Sequence, residues 1–169
     1  MPDAPALVAR VAALLEYPDG AFRAAIADCC AEASAVHSVA SVELRRFAAA
    51  IEGLAIEALQ ELYVATFDHN PRCALDLGWH LFGEAYERGA LLAMLREELQ
   101  RAGIPERGEL PDHLPSVLVL LDRLDPSRRA ELTRLLAPAV GTLEAALEQS
   151  GNPYAALVKS AAALAALGG

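Results

Sequence analysis

Few residues of this sequence are candidates for a metal site or for acid–base catalysis, and most of them lie between positions 68 and 113. Asp76 and His80 are four residues apart, a spacing that can present two metal ligands or an acid–base pair on one helix face. A metal-dependent helical hydrolase could draw on four residues, namely Asp76, His80, His113 and His69. The sequence has no His-Glu-x-x-His, Glu-x-x-His or glycine-rich phosphate-loop motif, so local hydrogen bonding by these residues is the simpler interpretation.

The pair Asp112-His113 lies in the segment IPERGELPDHLP, residues 104–115, which contains three prolines and one glycine. This composition predicts the longest irregular connection in the chain, and long loops on helical scaffolds often carry function. The alternative is local: Asp112 can cap the helix that follows, with Pro115 in its first turn and His113 exposed beside it.

An aromatic stretch, residues 59–83, precedes that segment. On a helical wheel, apolar side chains that include Tyr63 and Phe67 share one stripe, whereas Glu61 and Asp68 fall on the opposite face. After a break near Asn70-Pro71, a second short helix carries Trp79 and Phe82 beside glycine. Two helices with facing aromatics predict either a core or a groove, and both possibilities stay open here.

The charge is acidic and unevenly placed. The net charge is −9, and no basic face is apparent, which excludes nucleic acid as the expected partner. Four acids and no base lie between Arg46 and Arg72. A cationic partner would therefore be attracted to this part of the surface.

The cysteine pattern and the N-terminus indicate a cytoplasmic protein. Cys29, Cys30 and Cys73 form neither a disulfide framework nor a zinc motif. The N-terminal apolar run has no basic leader and carries Arg10, so we expect no secretory signal. No uncharged apolar run is long enough to predict a membrane span.

The periodicity predicts an all-α fold, a single domain over residues 1–169 built as a bundle of about nine or ten short helices. Apolar residues recur at spacings of three and four throughout, and no segment alternates with period two. Ser38 and Ser41 are candidate caps of the third helix, Pro138 is expected to kink or end a helix, and the dipeptide at 152–153 to start the last one. The final turn, before Gly168-Gly169, is expected to fray.

Four segments resemble one family. ELYVATFD (61–68), HLFGEAYERGALL (80–92), GELPDHLP (108–115) and, more weakly, NPYAALV (152–158) occur in the order found in the nitrate reductase delta subunit family, the molybdenum cofactor assembly chaperones of the NarJ/TorD type. The resemblance implies an all-helical cytoplasmic chaperone without catalytic residues or a cofactor of its own. Such proteins bind the N-terminal or twin-arginine-type peptide of an apo molybdoenzyme catalytic subunit and assist cofactor insertion and complex assembly.

Carried onto this sequence, the resemblance implies a peptide-binding region with acids at its rim. Its candidate residues are Glu61, Tyr63, Phe67, Asp68, Trp79, His80, Phe82, Gly83, Asp112 and His113. The acids Glu61 and Asp68 and the Asp112-His113 pair are expected to meet the partner, while the aromatics are largely packed. The client is left open among enzymes acting on nitrate, selenate, chlorate, dimethyl sulfide or ethylbenzene. A permanent structural subunit of a redox complex is the alternative from a different class.

Overall fold

The computed structural model describes residues 4–167, which fold into helices. The α-helices in this range are α1 (Ala4–Ala13), α2 (Phe22–Val36), α3 (Ser38–Ala50), α4 (Ile56–Tyr63), α5 (Leu77–Phe82), α6 (Tyr86–Arg101), α7 (Leu114–Arg123), α8 (Pro126–Gln149) and α9 (Tyr154–Ala165). A π-helical turn (Val64–Asp68) and a 3₁₀ turn (Pro71–Cys73) lie between α4 and α5. The all-α prediction is confirmed; Gly168-Gly169, which follow the last turn, lie outside the described residues, and the fraying of that turn stays a prediction.

Helix α9 lies at the centre of the bundle. It packs against α3, α1, α8 and α7, and Tyr154, Leu157 and Val158 have no exposed surface. A helix that is apolar nearly all round is buried rather than amphipathic, and its alanines allow neighbouring helices to approach. The buried hydroxyl of Ser160, on the same helix, donates to the carbonyl of Ala40 at 3.1 Å. No helix within residues 4–167 combines the length and apolar character needed to cross a membrane.

The aromatic stripe of α4 belongs to the core. Tyr63 and Phe67 are 7% and 6% exposed, and their ring centroids lie 5.0 Å apart. Tyr154 of α9 packs against Phe67 at 4.8 Å and against Phe47 of α3 at 5.1 Å. Edge-to-face and tilted pairs at these distances are the favoured aromatic arrangement. The choice between core and groove is therefore settled in favour of core for Tyr63 and Phe67.

The π-helical turn corrects the position that the helical wheel gave Asp68. The amide of His69 donates to the carbonyl of Val64 at 3.1 Å, a spacing of five residues instead of four. The wider turn takes up an extra residue, so Asp68 lies beside Tyr63 and Phe67 and not on the opposite face. Glu61 precedes this turn and stays on the other side of the helix.

The sequence predicts that Pro138 kinks or ends its helix. The prediction of a helix end is wrong. Helix α8 continues through Pro138 to Gln149. The ring removes only the hydrogen bond to the carbonyl of Arg134, and both residues are exposed, so water can take the place of the missing donor.

The two serines predicted to cap α3 do not cap it. His37, and neither Ser38 nor Ser41, caps α3, because its Nδ1 accepts from the amide of Ala40 at 3.3 Å. Ser41 is buried inside the helix and accepts from Arg45. At the start of α9 the prediction is confirmed, since the side-chain carbonyl of Asn152 accepts from the amide of Tyr154 at 2.9 Å.

The long connection between α6 and α7, residues 102–113, folds back over the start of α5. The amide of Leu77 donates to the carbonyl of Asp112, and the amide of Leu114 donates to the carbonyl of Leu75, both at 2.9 Å. These bonds form the isolated antiparallel bridge between Asp76 and His113. The backbone thus fixes two polar side chains next to each other although 37 positions separate them.

Candidate functional site: an acidic cavity beside Tyr17

The bridge between Asp76 and His113 forms one wall of a small cavity of about 210 Å³. We call it the acidic cavity, because four of its residues are carboxylic acids and none is Lys or Arg. Its lining consists of Glu16, Tyr17, Tyr63, Phe67, Asp68, Ala74, Leu75, Asp76, Glu109 and His113. The aromatic rings of the core thus reach the surface at this point and form an apolar wall opposite the acids.

His113 is the central polar group of the acidic cavity. Its side chain is 8% exposed, and its Nδ1 lies 3.4 Å from Oδ1 of Asp76 and 4.0 Å from Oε2 of Glu109. Asp76 is about one third exposed and Glu109 more than half. An imidazole beside two carboxylates can hold a positive charge although its own side chain is buried.

The pKa values of this pair move in opposite directions. The hydrogen bond from His113 is the largest influence on Asp76, and it holds the pKa of Asp76 below its ordinary value against the effect of burial. For His113, burial alone would lower the pKa, but the hydrogen bond to Asp76 and the negative charges of Glu109, Asp76 and Glu16 together raise it. Both shifts favour the ion pair over its neutral form.

Asp112 lies behind the acidic cavity and supports it. Its side chain is completely buried, and its Oδ2 accepts from the amide of Gly78 at 2.9 Å and from Arg88 at 3.3 Å. Burial raises the pKa of Asp112, the charge of Asp76 adds to the rise, and Arg88 and the Gly78 amide oppose it. The expected capping of the following helix is wrong, because Asp112 contacts the first turn of α5, while α7 has His113 at its N-cap without a side-chain bond.

Glu61 lines a second depression, of about 420 Å³, on the other side of Tyr17. This Glu61 depression is lined by Tyr17, Glu57, Gln60, Glu61, Val64, Ala65 and His69. Tyr17 belongs to both hollows, is 55% exposed, and packs edge-on against Tyr63 with ring centroids 5.8 Å apart. The two hollows together form what we call the acidic surface, and no Lys or Arg lines either of them.

Trp79, His80 and Gly83 lie in a third place, the α5–α8 groove of about 560 Å³. The indole of Trp79 donates to the carbonyl of Pro71 at 3.1 Å, and Nε2 of His80 lies 2.6 Å from the carbonyl of Ala74. Gly83 ends α5 with φ of +57°, and Phe82 is half-buried against the core. The ten predicted site residues therefore do not share one pocket.

The four residues considered for a metal-dependent hydrolase are also separated. His80 faces the α5–α8 groove and His69 the Glu61 depression, whereas Asp76 and His113 meet in the acidic cavity. Glu109, Glu16 and Tyr17 were not predicted as site residues. Glu109 could have been found, because it lies four residues before His113 in the proline-bounded loop; Glu16 and Tyr17 reach the cavity only through tertiary packing.

Comparison with known proteins places this all-helical chain in a family. The family model described as nitrate reductase delta subunit matches residues 32–159, and the chain belongs to that family. The matched range contains every candidate site residue except Glu16 and Tyr17.

Curated relatives carry names from nitrate respiration. The chain is 34% identical over 99 residues to the nitrate reductase molybdenum cofactor assembly chaperone NarJ of Escherichia coli K12, a match that covers 58% of this chain and 42% of the relative. It is 29% identical over 150 residues to the probable NarJ chaperone of Bacillus subtilis, covering 86% of this chain and 80% of the relative. A Mycobacterium tuberculosis nitrate reductase-like protein NarX is 32% identical over 94 residues, 55% of this chain and 14% of that protein. The match therefore spans less than half of the length of the E. coli relative.

Proposed function

We propose that this protein is a non-catalytic chaperone that binds the N-terminal segment of an apo molybdoenzyme catalytic subunit and assists molybdenum cofactor insertion and complex assembly. The names of its relatives support a client of the nitrate reductase type. The observation that carries the proposal is the acidic surface, where two carboxylate-rich hollows without Lys or Arg meet at an exposed tyrosine.

The acidic surface suits a peptide with basic side chains. A guanidinium in the acidic cavity would find carboxylates of Asp68 and Glu16 at the rim and the rings of Tyr17 and Tyr63 at the wall. Charge-assisted hydrogen bonds and stacking on aromatic faces are the two interactions that arginine makes best. A second basic side chain could pair with Glu61 beyond Tyr17, since that side of the ring is acidic as well.

The other predicted residues would shape the binding surface in this proposal. Tyr63 and Phe67 form the apolar wall, His113 and Asp112 hold the long connection in place, and the α5–α8 groove with Trp79 offers an apolar surface for the rest of the segment. An apolar floor with acids at its edge is the pattern used to bind amphipathic helices.

Calorimetry with a synthetic peptide of the N-terminal segment of the organism's nitrate reductase catalytic subunit tests the proposal. We expect binding that weakens with added salt, because the attraction is between partly exposed charges. The double variant Glu61→Gln plus Asp68→Asn should lower the affinity about tenfold, since two exposed ion pairs contribute about 0.5–1 kcal/mol each. The matched control is Glu52→Gln, an exposed acid outside both hollows, which should bind like the wild type. No binding, or equal binding by all three proteins, would count against the proposal.

A permanent structural subunit is distinguished by purification. A chaperone of the proposed kind should be present with the apo client and absent from the mature oxidoreductase. Recovery of this chain in stoichiometric amount with the mature, cofactor-loaded complex would favour the structural role instead.

A further inference from the structure

Three metal-binding groups converge at the acidic cavity. One ligand atom from each of Asp76, Glu109 and His113 lies within 4.8 Å of the other two. The groups come from the start of α5, from the long connection and from the residue before α7, and the antiparallel bridge holds two of them together. We propose that Asp76, Glu109 and His113 bind one divalent transition-metal ion of the zinc, cobalt or manganese type.

The distance between His113 and Asp76 fits two ligands of one metal ion better than it fits a strong hydrogen bond. Charge-assisted N–H···O bonds are about 2.7–2.9 Å long, whereas His113 Nδ1 lies 3.4 Å from Asp76 Oδ1. Two atoms that ligate one zinc ion at about 2.0–2.2 Å in tetrahedral geometry are themselves about 3.3–3.6 Å apart. Glu109 Oε2 lies 4.0 Å from the same nitrogen and within 4.8 Å of the ligand atom of Asp76, so it has to move inward to reach a shared ion. Its side chain is more than half exposed, so few packed atoms oppose such a movement.

The ligand types select the kind of ion. One imidazole nitrogen and two carboxylates exclude a preference for Mg²⁺ and Ca²⁺, which take oxygen ligands, and no thiol lines the acidic cavity. Zinc, cobalt and manganese accept this mixture. Three protein ligands leave at least one coordination position open toward the cavity.

The burial of His113 and the charge of the cavity favour a cation beside Nδ1. His113 is more than nine-tenths buried, its Nδ1 is aimed at both carboxylates, and its Nε2 is buried with no hydrogen-bond partner among the described residues. The backbone bridge holds His113 beside Asp76 although Nε2 makes no bond to the described residues. The lining also carries four acids against this single imidazole, because the nearby Arg88 is paired with Asp112 behind the wall.

This inference does not rest on the proposed chaperone function, since the free chain is sufficient to test it. The whole protein, stripped of metal with a chelator and kept reduced, is titrated with Zn²⁺ in competition with a chromophoric indicator. We expect one ion per chain, and at least tenfold weaker binding for each of Asp76→Asn, Glu109→Gln and His113→Gln. Glu109→Gln changes an exposed loop residue, so the test holds even where a buried variant fails to fold.

Two control variants separate this site from general acidity and from thiols. Asp68→Asn removes an acid of the same cavity outside the three ligands, and Cys30→Ser removes a partly exposed thiol; both should bind Zn²⁺ within about threefold of the wild type. Co²⁺ should give visible d–d absorption without a thiolate charge-transfer band. Absence of binding, wild-type affinity in Glu109→Gln, or loss of the ion in Cys30→Ser with a thiolate band would each overturn the proposal.

Discussion

A Cβ atom on Gly78 would lie 2.6 Å from Oδ2 of the buried Asp112. Real Cβ atoms do not approach an oxygen this closely, so the glycine is what allows the amide of residue 78 to donate to Asp112 at 2.9 Å. Arg88 and Leu91 close the space on the other sides, at 3.2 and 3.1 Å from the same position. This contact joins α5 to the connection that carries Glu109 and His113, and the geometry of the acidic cavity depends on it.

Gly78→Ala should therefore destabilise the fold by about 1–3 kcal/mol, because an added methyl group in a packed site forces neighbouring atoms to shift. Helix propensity acts in the opposite direction by up to about 1 kcal/mol. Gly141→Ala is the matched control: it lies within α8 with nothing within 4 Å, so it should stabilise by about 0.5–1 kcal/mol. Urea unfolding of both variants measures the difference. Equal changes in the two variants would show that the close contact between residue 78 and Asp112 does not affect stability.

The hydroxyl groups of two core tyrosines should contribute differently to the free energy of unfolding. Tyr154 is completely buried, and its hydroxyl has no hydrogen-bond partner among the described residues, so Tyr154→Phe should change the free energy of unfolding little or raise it by up to about 1 kcal/mol. Tyr63 packs in the same cluster but donates to the carbonyl of Leu15 at 3.0 Å. Tyr63→Phe should cost about 1–2 kcal/mol. Chemical denaturation compares the two, and a larger loss for Tyr154→Phe would contradict the assigned bonding.

The ion pair of Asp76 and His113 should make stability depend on pH. The folded pKa of His113 is raised above 6.5, so its contribution is complete below pH 6.5 and is lost as pH rises through the folded pKa. The folded pKa of Asp76 is lowered below 3.8, so its contribution is present above pH 3.8 and is lost as pH falls through the folded value. The pair therefore contributes most between about pH 4 and 6.5.

The measurement is the difference in unfolding free energy between the wild type and His113→Gln, in the presence of a chelator. We expect this difference to be largest near pH 6 and to decrease above it. His37→Gln is the comparison, because His37 lies at the α3 cap away from the cavity. A difference that grows as pH rises from 6 to 8 would mean that His113 is stabilised in its neutral form.

Pro138 offers a test of the uninterrupted helix α8. Pro138→Ala restores an amide donor for the carbonyl of Arg134 and removes the clash of the proline ring with the preceding turn. Part of this gain is offset, because proline also restricts the unfolded chain. The net free energy of unfolding should rise by about 1–2 kcal/mol. Thermal and urea unfolding report the change. A destabilised variant would contradict the view that the proline ring disfavours this helix position.

Helical periodicity was sufficient to predict the fold, because each helix buries a face whose residues recur at three and four positions. It could not locate Asp68, since a π-helical turn changes the spacing that the wheel assumes. The cap of the following helix, one of two alternatives for Asp112, is a local pattern, but Asp112 instead accepts from the amide of Gly78, 34 positions away. The meeting of Asp76 with His113 depends on the same long-range pairing, which leaves no periodic signal.

Peptide binding at the acidic surface can be located by NMR spectra of the chain with and without the N-terminal peptide of the nitrate reductase catalytic subunit. Amide signals of residues 16–17, 61–68 and 109–113 should shift on binding, while those of the exposed face of α2, including Ala24 and Ala27, should stay in place. A peptide that binds while the signals of the acidic surface remain unchanged would show that this surface is not the binding site.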